Sequence, residues 1–269
     1  MPCRLKRGVF RTVFDLQVVV NRFVAETNAD PKPFVRILNT KQIRQRPDHR
    51  CFRLPPSTVT PMAIAAIRSI IGALEYDICV LTGDYRGKTY GPFENALQSL
   101  SNICALLRGP LYGVLGNHDS LRMTPAMEAM GIRMLFNEYE TIARGSSQIY
   151  LAGVDDAHFY RADDIEKAAS GIPKNSFSVL LSHTPEVYEQ AAAAEFDLML
   201  SGHTHGGQLC LPGGIPIKLE AVLPRSMGAG MWRYAGMTGY TSVGAGTSLM
   251  PVRLNCPPEI SLHTLRRAE

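Results

Sequence analysis

The sequence predicts an α/β sandwich. Three observations carry that reading. Short apolar runs alternate with segments of helical apolar spacing from residue 61 to about residue 200. Four of those runs end in a short polar cluster. Beyond Gly206 the helical period disappears, Gly and Pro become frequent, and only short β-like pieces remain.

In order, Met62 to Leu74 (MAIAAIRSIIGAL) reads as a helix and Asp77 to Leu81 (DICVL) as a short buried strand. Phe93 to Leu107 reads as helix, Leu111 to Leu115 (LYGVL) as strand and Met123 to Met130 as helix. Short extended segments follow at Ile132 to Phe136, Thr141 to Ala143 and Ile149 to Val154. Ile165 to Ala169 reads as helix, Ser178 to Leu181 as strand, Pro185 to Ala194 as helix and Leu198 to Leu200 as strand. Tyr240 to Val243 and Glu259 to Thr264 are β-like. No repeat and no linker interrupts the chain after residue 61, so two units are expected: a basic segment at 1–55 and one folded domain at 56–269.

Composition narrows the function classes. Of the 269 residues 45% are hydrophobic and 19% charged, which excludes wholesale disorder. No stretch reaches the roughly 18 consecutive apolar residues of a membrane span. The longest uncharged run near the start, Leu16 to Asn21, is closed off by Asp15 and Arg22, and no clean secretory signal follows the basic start. The expected location is cytoplasmic, soluble or peripheral to a membrane. The net charge of +4 is uneven: residues 1–53 hold 12 Lys/Arg against 4 Asp/Glu. Such an arm attracts phosphate-rich partners or anionic lipid, but a solvated tail explains it more simply, and no clear nucleic-acid partner is expected. The six cysteines show no C-x-x-C spacing; Cys79 and Cys104 sit in apolar runs and read as core, in a reducing compartment.

The chemistry lies in the four polar clusters. Gly83-Asp84 follows ICVLT, Gly116-Asn117-His118-Asp119 follows LYGVL, Ser182-His183 follows SVLL, and Gly202-His203-Thr204-His205 follows DLMLS. Functional groups in open α/β sheets gather beyond the carboxyl ends of strands, so these residues are expected at one edge. Carboxylate and amide oxygens with imidazole nitrogens suit divalent ions such as Mn, Fe, Zn or Co. Any one cluster is weak, a Gly-Asp pair being usually a plain turn; the four in this order are not explained by structure alone. GDYRGKT at 83–89 has one residue too few between its glycines for a phosphate loop. No G-x-S-x-G elbow is present, and the GAG pieces at 228–230 and 244–246 read as turns. Asp155-Asp156 reads as a strand-ending turn more readily than as a pocket border.

The strings LTGDY, GVLGNHD, LAGVDD, LLSHTPE, LSGHTHGGQLCLPGG and VRLNCPPEISL resemble the calcineurin-like metallophosphoesterase superfamily, YkuE-like branch, over about residues 61 to 265. The resemblance implies a four-layer αββα sandwich of two mixed β-sheets and a centre of two divalent metal ions. It implies that Asp84 bridges the metals, that Asn117, His183 and His203 complete one metal's set, and that His205 binds the other. It implies His118 as the general acid or phosphate clamp, oriented by Asp119. The implied activity is metal-dependent hydrolysis of a phosphate mono- or diester or a pyrophosphate. The branch often carries a membrane anchor and includes enzymes cleaving the pyrophosphate of UDP-diacylglucosamine, which implies a phosphorylated small-molecule or lipid-linked substrate. Oligomeric state is not read from the sequence.

One departure stands out. The family opens with a D-x-H motif supplying two ligands to the first metal, and no D-x-H precedes residue 61. The expected place, near Cys51 to Leu54, reads CFRL within the arginine-rich stretch 38–55. Val35 to Leu38 is a candidate first strand, but Thr40, Lys41 and Gln42 follow it, and the adjacent Asp48-His49 reads as surface charge. The expectation is therefore one tightly bound metal, with hydrolysis weak or lost, unless Asp48 or His49 substitutes. The change of texture near Pro61 leads to the further expectation of a shifted reading frame or rebuilt gene start, readable in codons 38–55. A metal-binding remnant without catalysis is the alternative function.

Overall fold

The computed structural model describes residues 16–20, 35–43, 61–145, 147–247 and 253–267. Two six-stranded mixed sheets organise them. The first holds β1 (Leu16–Val20), β2 (Val35–Ile43), β3 (Ile78–Leu81), β4 (Leu111–Gly113), β5 (Ile132–Met134) and β14 (Ile260–Arg267), in the order β2-β14-β1-β3-β4-β5. The second holds β6 (Glu138–Arg144), β7 (Ser147–Gly153), β8 (Ser178–Leu181), β9 (Leu198–Ser201), β12 (Gly230–Tyr234) and β13 (Met237–Thr241), in the order β12-β13-β9-β8-β7-β6. A separate small hairpin pairs β10 (Cys210–Leu211) with β11 (Ile215–Pro216).

Alternation of side chains along each strand builds the layers. Ile78 and Val80 of β3 point one way and meet Val179, Leu181, Leu198 and Leu200 of the second sheet. Cys79 and Leu81 point the other way, toward α1 (Pro61–Gly72), α2 (Glu94–Cys104) and α3 (Thr124–Ala129), through Ile67, Ile71, Leu100, Ile103 and Met127. On the far side Leu180 and Met199 pack with α4 (Ile165–Ala169) and α5 (Tyr188–Ala193) through Ile165, Ala168 and Ala191. The result is the expected four-layer αββα sandwich. Burial on both faces explains why β3, β8 and β9 are continuous apolar runs rather than alternating ones. Each fully buried Leu or Val in them contributes about 1.5–3 kcal/mol.

Several expected elements change in detail. The helix expected at 185–194 starts as a 3-10 turn, Pro185–Val187, capped by Thr184, before α5 begins. The extended segment expected at 141–143 is a seven-residue strand, because β6 pairs along the whole of β7. β12 was not expected: its sequence, GMWRY, alternates, with Trp232 buried and Met231 exposed.

The N-terminal strands correct a more important expectation. Val35 to Leu38, the candidate first strand, and Thr40, Lys41 and Gln42 after it all lie inside β2, antiparallel to β14 and not beside β3. The strand beside β3 is instead β1, the uncharged run LQVVV, and it is antiparallel to β3, Leu16 pairing with Leu81 and Val19 with Ile78. Its carboxyl end thus points away from the edge that carries Asp84. Asp48, His49 and Cys51 to Leu54 lie outside the described residues.

Candidate metal centre

The carboxyl ends of β3 and β4 in one sheet and of β8 and β9 in the other meet at one edge, each pair being parallel. Val114 N–H donates to Leu81 O at 3.1 Å and Ser182 N–H to Leu200 O at 3.1 Å, which keeps the four loops level. Close approach requires glycine. A Cβ on Gly116 would lie 2.5 Å from Asp84 N and 2.8 Å from His183 Cε1. Four residues here, Asp84, His203, His205 and Gln208, adopt positive φ without being glycine, and all four line one pocket. Strain of this kind gathers at functional sites.

The pocket has a volume of about 380 Å³, and Asp84, Asn117, His118, His203 and His205 all line it. Four donor atoms converge beside it. His183 Nε2 lies 3.0 Å from Asn117 Oδ1, 3.1 Å from His203 Nδ1 and 3.3 Å from Asp84 Oδ2. The outer nitrogen of each ring meets a backbone carbonyl, His183 Nδ1 on Thr82 O at 2.6 Å and His203 Nε2 on Glu220 O at 2.9 Å. A carbonyl only accepts, so these outer nitrogens carry protons, and in the neutral form of each ring the inner nitrogen is a lone pair. Two imidazole lone pairs, an amide oxygen and a carboxylate therefore face one point, an N2O2 set that suits a borderline divalent cation. Backbone acceptors on the outer nitrogens fix the tautomers as a ligand shell requires. Burial pushes His203 down to about 4, with the neighbouring His183 adding to the shift, so the ring is neutral at pH 7. Burial alone would raise Asp84, but the positive charge that His183 carries when protonated outweighs that and holds the carboxyl well below its usual range.

Asp119 plays a different part from the one expected. Its carboxylate accepts from the backbone N–H groups of Asp84 at 2.7 Å, Tyr85 at 2.8 Å and Gly116 at 2.8 Å. It staples the two loops of the first sheet together, whereas the His118 ring is held by Thr89, Oγ1 to Nδ1 at 2.7 Å. Arg86 closes the same loop by donating to the carbonyls of His118, Thr89 and Gly91.

His205 is also placed apart. It lines the pocket but lies outside the buried group of Asp84, His183 and His203. Its Nδ1 accepts from Arg253 Nη2 at 3.2 Å, and the same guanidinium donates to the carbonyls of Val243, Gly244 and Gly246. Burial, with the Arg253 charge second, pushes His205 down to about 3. Among the described residues, Asp84 and His205 do not make up a first-metal set, whereas Asp84, Asn117, His183 and His203 make up the second.

Sequence reasoning missed His158 and Glu186. Asp156, fully buried, turns the chain after β7 by accepting from the N–H groups of His158, Phe159 and Tyr160, as the turn reading of Asp155-Asp156 requires. That turn stacks His158 on His203 with ring centroids 4.1 Å apart. His158 Nδ1 meets Glu186 Oε2 at 2.6 Å. Glu186 also accepts from Val222 N–H and Thr184 Oγ1; burial works against these bonds, yet they hold its carboxyl below the usual range. The signal was present as a further histidine beyond a strand end, but its single-residue form gave it no weight.

A two-sheet α/β sandwich with a His, Asn and Asp centre at the strand ends defines a metallophosphoesterase-type protein. The sequence profile of the calcineurin-like phosphoesterase family matches residues 61–207. The chain belongs to that family. It is 31% identical over 200 residues to phosphodiesterase YaeI of Escherichia coli, covering 69% of each chain. It is likewise 31% identical over 198 residues to the uncharacterized metallophosphoesterase YkuE of Bacillus subtilis, covering 71% of this chain and 68% of that one. A transmembrane protein with metallophosphoesterase domain from Danio rerio is 30% identical over 228 residues, 78% of this chain and 51% of that protein.

Proposed function

We propose that the chain hydrolyses a phosphate mono- or diester or a pyrophosphate at a centre holding one tightly bound divalent ion. The carrying observation is the convergence of His183 Nε2, His203 Nδ1, Asn117 Oδ1 and Asp84 Oδ2, with both rings fixed from behind by carbonyls. When bound, such an ion supplies Lewis-acid polarisation of a phosphoryl oxygen and a lowered pKa for water. The protein's own groups supply the rest. Asp119 and the glycines hold the two loops in register, so that substrate meets a preorganised wall. His118, held at Nδ1 by Thr89, presents its far edge to the pocket and delivers a proton through Nε2 to the departing oxygen. Mn, Fe, Zn and Co all suit the donor set.

A phosphorylated small-molecule or lipid-linked substrate fits the rim. Ile217 and Lys218 line the pocket, and the surrounding segment exposes Leu211, Ile215 and Val222, the last 89% exposed. Among the described residues no helix is long and apolar enough to cross a membrane. Peripheral contact would therefore run through this rim and the basic start of the chain. Liposome flotation of the full chain at physiological salt tests it; no flotation with anionic vesicles contradicts it.

A second reading, a protein that binds metal or a phosphorylated ligand without turnover, is favoured by the absence of any D-x-H before residue 61 and by the position of His205 outside the donor group. Assay of the purified chain with p-nitrophenyl phosphate and its bis-ester, with added Mn, decides. Turnover abolished by His203→Ala supports hydrolysis; no turnover with any divalent ion supports the second reading.

A further inference from the structure

His205 is expected to bind a second metal, yet its Nδ1 is engaged as a hydrogen-bond acceptor. The Arg253 guanidinium has five N–H donors and no acceptor, and it remains protonated in a protein. Its contact to His205 Nδ1 at 3.2 Å therefore makes that nitrogen the acceptor. The neutral ring then carries its proton on Nε2, and an Nε2–H has no lone pair for a metal. The arrangement is the reverse of His183 and His203, whose outer nitrogens donate to carbonyls and whose inner nitrogens are free of protons.

The guanidinium is not a casual neighbour. It also donates to the carbonyls of Val243 at 2.6 Å, Gly246 at 2.6 Å and His205 itself at 3.3 Å, so its position is set by the backbone around it. It holds the Nδ1 edge of His205 from behind, while the residue lines the pocket with Asp84, Asn117 and His118. The ring nitrogen that Arg253 leaves available is Nε2–H, on a residue that lines the pocket. His205 itself is locked at φ 50° between Thr204, whose hydroxyl donates to Gly228 O at 2.7 Å, and Gly206.

We propose that His205, fixed in its Nε2–H form by Arg253, binds a phosphoryl oxygen of the substrate and is not a metal ligand. The subsite takes an oxyanion: the phosphate group bound at the one-metal centre receives a directed N–H from His205. This rests on the one-metal reading of the site given above, and it adds the means by which phosphate is held without a second cation.

The test uses the full chain, Co(II) as the metal and inorganic phosphate as the probe. Cobalt uptake is measured by calorimetry and by the visible absorption of the bound ion, and phosphate affinity is then measured on the cobalt-loaded protein. For His205→Ala we expect the same number of tightly bound cobalt ions as in the unmodified chain, an unchanged absorption band, and phosphate binding weakened on the order of tenfold, as loss of one directed hydrogen bond to an anion requires. His205→Gln, which offers an amide N–H near the Nε2 position, should keep phosphate affinity within about threefold of the unmodified chain. Loss of a cobalt equivalent or a shifted band in His205→Ala overturns the proposal, because His205 would then be a ligand. Unchanged phosphate affinity in His205→Ala overturns it as well. A chain that takes up cobalt through Asp84, with Asp84→Asn losing it, yet binds no phosphate refutes the oxyanion role and leaves the metal centre standing; a chain that takes up no cobalt refutes both.

Discussion

His183 Nε2 and His203 Nδ1 face each other across 3.1 Å, while the opposite nitrogen of each ring meets a backbone carbonyl. With Asp84 and Asn117 added, acceptor atoms crowd one point from both sheets. Bringing such atoms together is costly unless a cation or proton lies between them.

Metal should therefore stabilise the fold, and through these residues. At a concentration one hundred times its Kd, a bound ion adds about 2.7 kcal/mol to the unfolding free energy. Thermal unfolding with and without EDTA should show the difference in the unmodified chain and lose it in Asp84→Asn and His183→Gln. An EDTA shift that persists in both variants would place the ion elsewhere.

Gly116→Ala should disable the centre without replacing a ligand. The new Cβ would lie 2.8 Å from His183 Cε1 and 2.5 Å from Asp84 N, both fixed parts of the site. Metal affinity measured by calorimetry should fall at least tenfold, whereas Gly91→Ala, with nothing within 4 Å of its Cβ but φ at +95°, should cost only backbone strain and leave metal affinity intact.

Asp119→Ala should cost stability before it costs chemistry. Its carboxylate accepts from the N–H groups of Asp84, Tyr85 and Gly116, all at buried positions. Leaving several such donors unsatisfied costs about 3 kcal/mol or more. Urea unfolding should show a loss of that size; a near-unchanged midpoint would mean the loops are held by other contacts.

Thr89→Val should lower turnover with p-nitrophenyl phosphate about tenfold at unchanged metal content, since it frees the His118 ring without altering the donor set. Steady-state kinetics beside metal analysis separates the two effects.

His263 supplies a pH signature away from the metal. It is fully buried on β14, edge-on to Tyr240, and burial pushes it down to about 3. The ring is neutral when folded, so below its unfolded value near 6.5 the unfolded chain binds the extra proton. Its contribution to stability is complete above about 6.5 and is lost as pH falls toward 3, at up to about 1.4 kcal/mol per pH unit. Urea unfolding at pH 7 and pH 5 should show a steeper loss in the unmodified chain than in His263→Gln.

The sequence by itself determined the sandwich and which residues gather at the candidate centre. β3, β8 and β9 are apolar runs because both faces are covered, and the residues just beyond such strands gather at one edge wherever the sheets lie. Asp84, Asn117, His183 and His203 could be read for that reason: their positions follow from local pattern. What each nitrogen does could not be read so. That Asp119 staples backbone N–H groups, that Thr89 holds His118, and that Arg253, 48 residues along the chain, turns His205 into a donor are outcomes of which distant groups arrive beside them. The same holds for β1, whose antiparallel course beside β3 is fixed by pairing across the sheet and leaves no trace in LQVVV. A residue's type is local, but its hydrogen-bond partner, and with it its tautomer and its chemistry, is set only when the two sheets close on each other.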